Sequence, residues 1–309
     1  MSDNNMNGII GTFDLDSRIK YTQKEYFYEY NQAFEFWNKI MILMMQPKTK
    51  TKIKGLLLTG APDSGKSTLV QQFQYEYLQN VRGAQERDIV LFNVPQGVGA
   101  RQVFAQLCRK LNIPDIPNNP RNDPVTHFIV KSANKLKQDH KLLIVDEFQN
   151  LYEVQGGLRK KIISSFNQLI NESRIPIVLV GVTGVNDILR SIENDLSNLK
   201  GTFSSRFPEY KLSRWEDNEE FQGLLKSLYE DLHLNPEGTP SFFYYNDEIR
   251  EKIIEYSQGL LGRIITLLKE TAIKIFCDKL PEKITPEILK ETAIDLEYTI
   301  DSDYRVEGK

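Results

Sequence analysis

Short apolar runs alternate with segments of helical periodicity along residues 21–210. Four runs predict strands that are buried on both faces, at 55–59, 89–93, 141–145 and 176–182. Apolar residues at helical spacing predict helices between these strands, at about 65–80, at 101–112, in a segment that ends near residue 137, and at 157–172. This alternation is typical of an α/β fold, with a parallel sheet flanked by helices.

The pattern changes after residue 217, where the periodicity is helical only. Helical segments follow at 217–232, 246–257, 262–278 and 285–296. They predict a second, smaller all-helical domain. The predicted organisation is a flexible N-terminal arm at 1–20, an α/β domain at 21–210, the helical domain at 211–300 and a flexible tail at 301–309.

Aromatic residues are frequent in a segment at 21–46 that we interpret as one helix. Tyr26, Tyr30, Phe34 and Trp37 recur at helical spacing and predict a stripe that packs on the core. A stripe that binds a partner is the alternative.

Composition and charge exclude several classes of function. The chain has 309 residues, 40% of them hydrophobic and 26% charged, and a net charge of −3 argues against a protein that coats DNA through its overall charge. Cys108 and Cys277 are far apart, and the three histidines are scattered, so we expect no disulfide or zinc site and two buried thiols. The chain lacks a long apolar run and a secretory signal, so we expect a cytoplasmic protein without membrane contact.

Residues 60–67 read GAPDSGKS and fit the phosphate-binding pattern GxxxxGK[ST], between a predicted strand and a predicted helix. The glycines let backbone N–H groups curl around an anion, and the helix directs its positive end there. Lys66 supplies a charge for the β- and γ-phosphates, and the Ser67 hydroxyl is placed to bind Mg²⁺. The predicted contacts of this phosphate loop are Gly60, Ala61, Pro62, Asp63, Ser64, Gly65, Lys66, Ser67 and Thr68. A decayed loop that no longer binds nucleotide is the alternative.

An acidic pair follows the apolar run LLIV. Asp146, at the tip of this predicted strand, can reach the Mg²⁺ through water, and Glu147 can polarise the water that attacks the nucleotide. The extra strand IVLFN at 89–93, between the two motifs, favours the ATPase branch of the P-loop proteins over the small GTPases. A strand that ends in solvated acids is the alternative.

Three further residues are candidates for the same site. Thr183 follows the strand 176–182 and is the nearest residue that could orient a water, because Val182 at the strand end is apolar. Arg206 could reach the γ-phosphate bound by a neighbouring subunit, where its guanidinium would stabilise charge. Arg263 opens a helix after a glycine turn and could contact the nucleotide of its own chain. Each arginine could instead be a surface residue.

These elements, in this order, resemble an AAA+ ATPase over about residues 20–296. The later part of the chain resembles the TniB/TnsC family of transposition regulators more closely. The resemblance lies in Arg206-Phe207, Leu212-Ser213-Arg214-Trp215, Asn218-Glu219-Glu220-Phe221 and Gly259-Leu260-Leu261-Gly262-Arg263. It implies an AAA+ P-loop ATPase core and a helical lid domain.

The same resemblance implies a function. Proteins of this kind bind ATP with Mg²⁺ and assemble as rings or helical filaments on duplex DNA. They link a target-selection protein or an RNA-guided complex to the transposase, and hydrolysis disassembles them. Val182 departs from the usual polar residue at that strand end, and the N-terminal arm matches nothing in the pattern.

A local basic excess is consistent with DNA contact. Residues 94–140 hold seven basic and three acidic side chains, a sum of +4 against −3 for the whole chain. The resemblance implies backbone contacts from Arg101, at a helix start, and from Arg121 or Asn122 in the loop after that helix. A solvated charged face is the alternative for both. Two other functions stay open: another AAA+ ATPase, such as a replication initiator or helicase loader, and a nucleotide-dependent scaffold that does not bind DNA.

Overall fold

The computed structural model describes residues 15–49, 52–118, 123–152, 156–186, 189–190, 205–234 and 243–298. The chain divides into two compact units. The α/β unit comprises Asn31–Pro62 and Lys66–Leu212. The helical unit comprises the described residues of Met1–Tyr30, Asp63–Gly65 and Ser213–Lys309.

Strands and helices alternate in the α/β unit as the sequence predicts. Its strands are β1 (Leu56–Gly60), β2 (Ile89–Asn93), β3 (Leu142–Asp146), β4 (Ile177–Val182) and β5 (Glu209–Lys211). The helices of the whole chain are α1 (Leu15–Thr22), α2 (Asn31–Met44), α3 (Lys66–Asn80), α4 (Ala100–Lys110), α5 (Val125–Asp139), α6 (Gly156–Ser173), α7 (Glu219–Asp231), α8 (Asp247–Ser257), α9 (Leu261–Cys277) and α10 (Pro286–Asp295). No helix in these ranges has both the length and the apolarity of a transmembrane span.

The strands form one parallel sheet in the order β2-β3-β4-β1-β5. All residues of β1 and β3 are buried, which explains why both strands are continuous apolar runs in the sequence. Phenylalanines fill the core between the sheet and its helices, with Phe166 centred 5.1 Å from Phe104 and 5.5 Å from Phe148. The predicted α/β class is confirmed.

The sequence predicts four strands and does not predict β5. It has only three residues, and both Glu209 and Lys211 are exposed, so it carries no apolar run. It is fixed instead by bonds to its neighbour: Gly55 N donates to Arg206 O at 2.8 Å, and Leu57 N donates to Pro208 O at 3.0 Å. Backbone hydrogen bonds therefore define a strand that the side-chain pattern does not.

The predicted helix at 21–46 is confirmed for α2 but wrong before it, because the chain is not helical between α1 and α2. Tyr28 and Tyr30 are buried in the helical unit, where Tyr28 Oη donates to Asp231 Oδ2 at 2.7 Å and the Tyr30 ring lies 5.6 Å from Trp215. These contacts hold the intervening segment in a non-helical conformation. The predicted aromatic stripe is wrong too, since Phe34 is exposed. The buried face of α2 is formed by Ala33, Phe36 and Ile40.

Helix α1 begins inside the segment that the sequence predicts to be a flexible arm. Arg18 accounts for its placement in the helical unit: its guanidinium donates to both carboxylate oxygens of Glu282, at 2.8 and 2.6 Å, and lies 4.0 Å from the Phe276 ring centre. Residues 1–14 and the predicted tail at 301–309 lie outside the described residues. The two thiols differ from expectation, because Cys108 is buried but Cys277 is exposed at the end of α9.

Gly55 offers a test of how tightly the sheet is packed. A Cβ atom on Gly55 would lie 2.3 Å from Ile177 O and 2.5 Å from the Phe207 ring, so Gly55→Ala should destabilise the fold by about 3 kcal/mol. Gly223→Ala on α7 is the control: its Cβ meets nothing within 4 Å, and alanine favours a helix by about 1 kcal/mol over glycine. Urea unfolding of both variants measures the difference, and equal stability of the two would contradict the packing described.

Candidate nucleotide-binding site

The phosphate loop connects the buried end of β1 to the start of α3. Asp63 and Gly65 have positive φ angles, 60° and 85°, which give the loop its tight curve. Glycine adopts this left-handed conformation without strain, which explains its presence at position 65. Helix α3 begins at Lys66, so the free N–H groups of its first turn lie beside the loop.

Lys66 bends back over the loop that precedes it. Its Nζ donates to Gly60 O at 3.0 Å and to Ala61 O at 2.6 Å. These bonds hold the ammonium against the backbone of the loop. Ser67 and Thr68 follow in the first turn of α3. This arrangement can neutralise an anion with both a fixed charge and backbone dipoles.

The acidic pair lies at the end of β3. Asp146 is 8% exposed, and its Oδ1 accepts a hydrogen bond of 2.7 Å from Glu147 N, which fixes the carboxylate at the strand tip. Glu147 has a positive φ of 56°, so the chain turns sharply there. Because the sheet is parallel, this strand end and the phosphate loop lie on the same edge of the sheet.

The residues at this edge fit a magnesium ion that is shared with a substrate phosphate. Mg²⁺ usually takes one or two protein oxygens and completes its shell with phosphates and waters. Ser67 and Asp146 supply a hydroxyl and a carboxylate. The described residues contain no group of three or more His, Cys, Asp or Glu side chains that could hold a metal ion.

Gln149 is a site residue that the sequence analysis missed. Its Nε2 donates to Glu147 Oε2 at 2.5 Å. The signal was its position two residues after Glu147, which a short 3₁₀ turn at Phe148–Tyr152 converts into a contact.

The end of β4 lies beside the phosphate loop. Val182 is paired with Gly60 in the sheet, and Thr183 N donates to Gly60 O at 3.1 Å. The Thr183 side chain is exposed in a turn after the strand. The structure thus brings Thr183 to the correct strand end, and its role with water stays a prediction.

Arg263 lies beside the loop residue Asp63 in the helical unit. Its Nε is 3.6 Å from Asp63 Oδ2, and its guanidinium is 5.2 Å from the Tyr298 ring centre. Gly262 N donates to Asp63 O at 2.8 Å, and a Cβ on Gly262 would lie equally close to that oxygen. The glycine before Arg263 therefore permits the close approach. Direct contact of Arg263 with nucleotide stays a prediction.

Arg206 lies at the opposite ends of the strands from the phosphate loop and the Asp146–Glu147 pair. Its carbonyl accepts from Gly55 N, immediately before β1, whereas the phosphate loop follows the other end of β1. A five-residue strand spans about 16 Å. Arg206 Nη1 donates to Asn171 Oδ1 at 2.7 Å. Burial together with the nearby charge of Arg174 lowers the pKa of Arg206.

A family model described as "Bacterial TniB protein" matches residues 18–217, more than half of the chain. The chain belongs to the TniB family. The predicted family is confirmed, and the match includes the phosphate loop, the Asp146–Glu147 pair and Arg206 of this TniB-family chain.

Solved structures with the same fold are similar in shape but distant in sequence. ORC1 of Aeropyrum pernix, in complex with DNA, has a TM-score of 0.61 and 13% identity, covering 90% of this chain and 69% of that one. CDC6P of Pyrobaculum aerophilum has a TM-score of 0.59 and 16% identity, covering 89% and 70%. A Walker-type ATPase of Pyrococcus abyssi has a TM-score of 0.53 and 16% identity, covering 85% and 71%.

No curated protein matches the sequence of this TniB-family chain significantly. The family and the fold nevertheless agree with one another, since the similar structures share the AAA+ architecture. The predicted AAA+ fold is therefore confirmed, and ATP hydrolysis by this chain stays a prediction.

The predicted DNA contacts are described only in part. In this TniB-family chain Arg101 lies in the first turn of α4, after the loop that follows β2, and thus at the edge of the sheet that carries the phosphate loop. Arg121 and Asn122 lie outside the described residues. Lys135, another basic residue of this region, is paired with Asp139 at 2.7 Å. The DNA role of Arg101 stays a prediction.

Proposed function

We propose that this chain is an ATP-dependent, DNA-binding regulator of transposition. It binds ATP with Mg²⁺, assembles with copies of itself on duplex DNA, and links a target-selection protein or an RNA-guided complex to the transposase. Hydrolysis then releases the assembly. The proposed setting is the bacterial cytoplasm, at the nucleoid.

One observation carries the proposal: Arg206 and the phosphate loop lie at opposite edges of one sheet. An arginine about 16 Å from its own loop cannot act on the nucleotide bound there. It is available to the nucleotide of a neighbouring copy, where its guanidinium would stabilise the charge of the transferring phosphoryl group. A chain with this arrangement needs a second copy to complete its hydrolytic site, which makes assembly part of its chemistry.

The residues at the loop edge support a direct hydrolytic reaction. Lys66 and the loop N–H groups bind the β- and γ-phosphates. Ser67 and Asp146 would hold Mg²⁺, which neutralises phosphate charge when it is bound. Glu147 accepts a proton as the water oxygen bonds to the γ-phosphorus and the bond to the bridging oxygen breaks, leaving ADP and phosphate. Arg263, next to Asp63, is suited to sense the occupant of the loop.

DNA contact is proposed to depend on assembly. A single copy with a net charge of −3 and one or two phosphate contacts binds DNA weakly. Joined copies act on the same duplex, so their contacts add. Contacts to the backbone carry no base readout, so this binding is largely independent of sequence.

A second candidate is another AAA+ ATPase of DNA metabolism, such as a replication initiator or helicase loader. The similarity in fold to ORC1 and CDC6P favours it. A transposition assay with the purified cognate transposase separates the two, because only a transposition regulator changes the choice of target. Electrophoretic shifts on duplex DNA, with and without ATP, test the third possibility of a scaffold that does not bind DNA.

Glu147→Gln tests the assignment of the general base. The variant should bind ATP as the wild type does, because Lys66, Ser67 and Asp146 remain, and its hydrolysis should fall by about 10²-fold. Its DNA-bound assembly should persist in electron micrographs. Lys66→Ala is the contrasting variant, which should lose ATP binding and should not assemble by itself. Wild-type turnover by Glu147→Gln would refute the assignment.

Arg206→Ala tests action between copies. It should bind ATP normally yet lose about 10³-fold in hydrolysis. Mixing it with Lys66→Ala should restore activity, since one copy then supplies the loop and the other the arginine. Arg87→Ala, an exposed arginine just before β2 and at the same sheet edge, is the matched control and should keep full activity. Failure of the mixture to recover activity would argue against a trans role.

Arg101→Ala tests the DNA contact. If Arg101 binds a phosphate in each copy, the variant should bind every duplex more weakly. The slope of the logarithm of the binding constant against the logarithm of the salt concentration should become shallower by about one unit per copy. ATP binding should be unchanged. Lys226→Ala, on the exposed side of α7, removes the same charge as a control. Filter binding at several salt concentrations measures both, and an unchanged slope for Arg101→Ala would contradict the contact.

A further inference from the structure

We infer that Gln149 positions both Glu147 and the attacking water, and so supplies the polar group that the apolar end of β4 lacks. The inference rests on the proposed hydrolysis and adds a residue to it. Gln149 acts through Glu147 and the water, and it is therefore a positioning residue.

The first observation is the contact with the general base. Gln149 Nε2 donates to Glu147 Oε2 at 2.5 Å. A carboxylate accepts hydrogen bonds and cannot donate one, so the amide must present its nitrogen to Glu147 and turn its oxygen away. The bond occupies one carboxylate oxygen and leaves Oε1 of Glu147 to take the proton from water.

The second observation is the other end of the same amide. Gln149 Oε1 is enclosed and has no hydrogen-bond partner among the described residues. A buried acceptor without a donor costs about 1–3 kcal/mol, and a water molecule is the smallest donor that can satisfy it. An attacking water has two O–H bonds. One can point to Glu147 Oε1 and the other to Gln149 Oε1, which leaves its lone pair for the γ-phosphorus.

Strand β4 leaves room for this arrangement. Gly181 has no side chain, and a Cβ built there would lie 3.3 Å from Gln149 Oε1. Val182 can neither donate nor accept a hydrogen bond, and the Thr183 side chain is exposed in the turn after the strand. The side-chain amide of Gln149 therefore lies against this end of β4.

The residues on both sides of Gln149 are held in place by packing and hydrogen bonds. Phe148 is fully buried, with its ring 5.5 Å from that of Phe166. Asn150 Nδ2 donates to Val94 O at 2.9 Å, and its backbone N–H donates to Glu147 O at 2.9 Å. The backbone of Gln149 is fixed on both sides, so orienting the water requires little further ordering.

Gln149→Leu tests the inference, because leucine keeps the bulk and removes both polar ends of the amide. We expect kcat to fall by about 10–100-fold, while the affinity for ATP, measured with a fluorescent analogue, changes less than about twofold. Gln149→Asn, one methylene shorter, should show a smaller loss and protects the test if the leucine variant folds poorly. Gln168→Leu is the matched control, since Gln168 donates to Glu172 at 2.7 Å on α6, away from the phosphate loop.

A double-mutant cycle gives a readout that a purely structural role would not produce. In a Glu147→Gln background, Gln149→Leu should reduce the remaining hydrolysis by less than about twofold, because both residues act on one water. An additive loss would overturn the inference, as would an unchanged kcat. A raised kcat would show that Gln149 restrains Glu147 instead. Loss of Glu147 without effect on turnover is a different result, which refutes the proposed hydrolysis itself.

Discussion

The parallel direction of the strands is the constraint on which the site depends. Each strand that returns in the same direction delivers its last residue to one edge of the sheet, so β1, β3 and β4 bring the phosphate loop, the acidic pair and Val182 together. The helices that connect parallel strands cover both faces of the sheet, so the strands are buried. The charged groups of the reaction can therefore emerge only at the strand ends, where backbone dipoles and free N–H groups also lie.

Much of this arrangement could be read from the sequence. β2 has the predicted bounds of 89–93, and β1, β3 and β4 are displaced by one residue or less at each end, because largely buried strands leave an apolar run in the sequence. The phosphate loop is equally predictable, since its glycines and Lys66 form a local sequence pattern. The family resemblance also rested on local features, such as Asn218, whose side chain accepts from Phe221 N at 2.9 Å and caps α7.

The features that escaped prediction depend on partners far along the chain. The aromatic segment around Tyr28 has a helical period, yet its ring contacts and its bond to Asp231 hold it outside a helix. Strand β5 exists because β1 offers it a free edge. Gln149 is unremarkable in a polar segment until the turn after Glu147 brings its amide onto the carboxylate. Residue type alone could not separate these cases from ordinary solvated positions.

The separation of Arg206 from its own phosphate loop has a consequence for stoichiometry. If the site is completed between copies, as proposed, the contact is head-to-tail, and such contacts close into rings or continue as open helices. In an open row, one terminal copy has a loop without a partner's arginine, and the other terminal copy has an arginine without a loop to serve. A row of n copies then contains n − 1 complete sites, whereas a ring contains n. Turnover per chain would therefore rise with the length of an open assembly and level off, and it would be constant for a closed one.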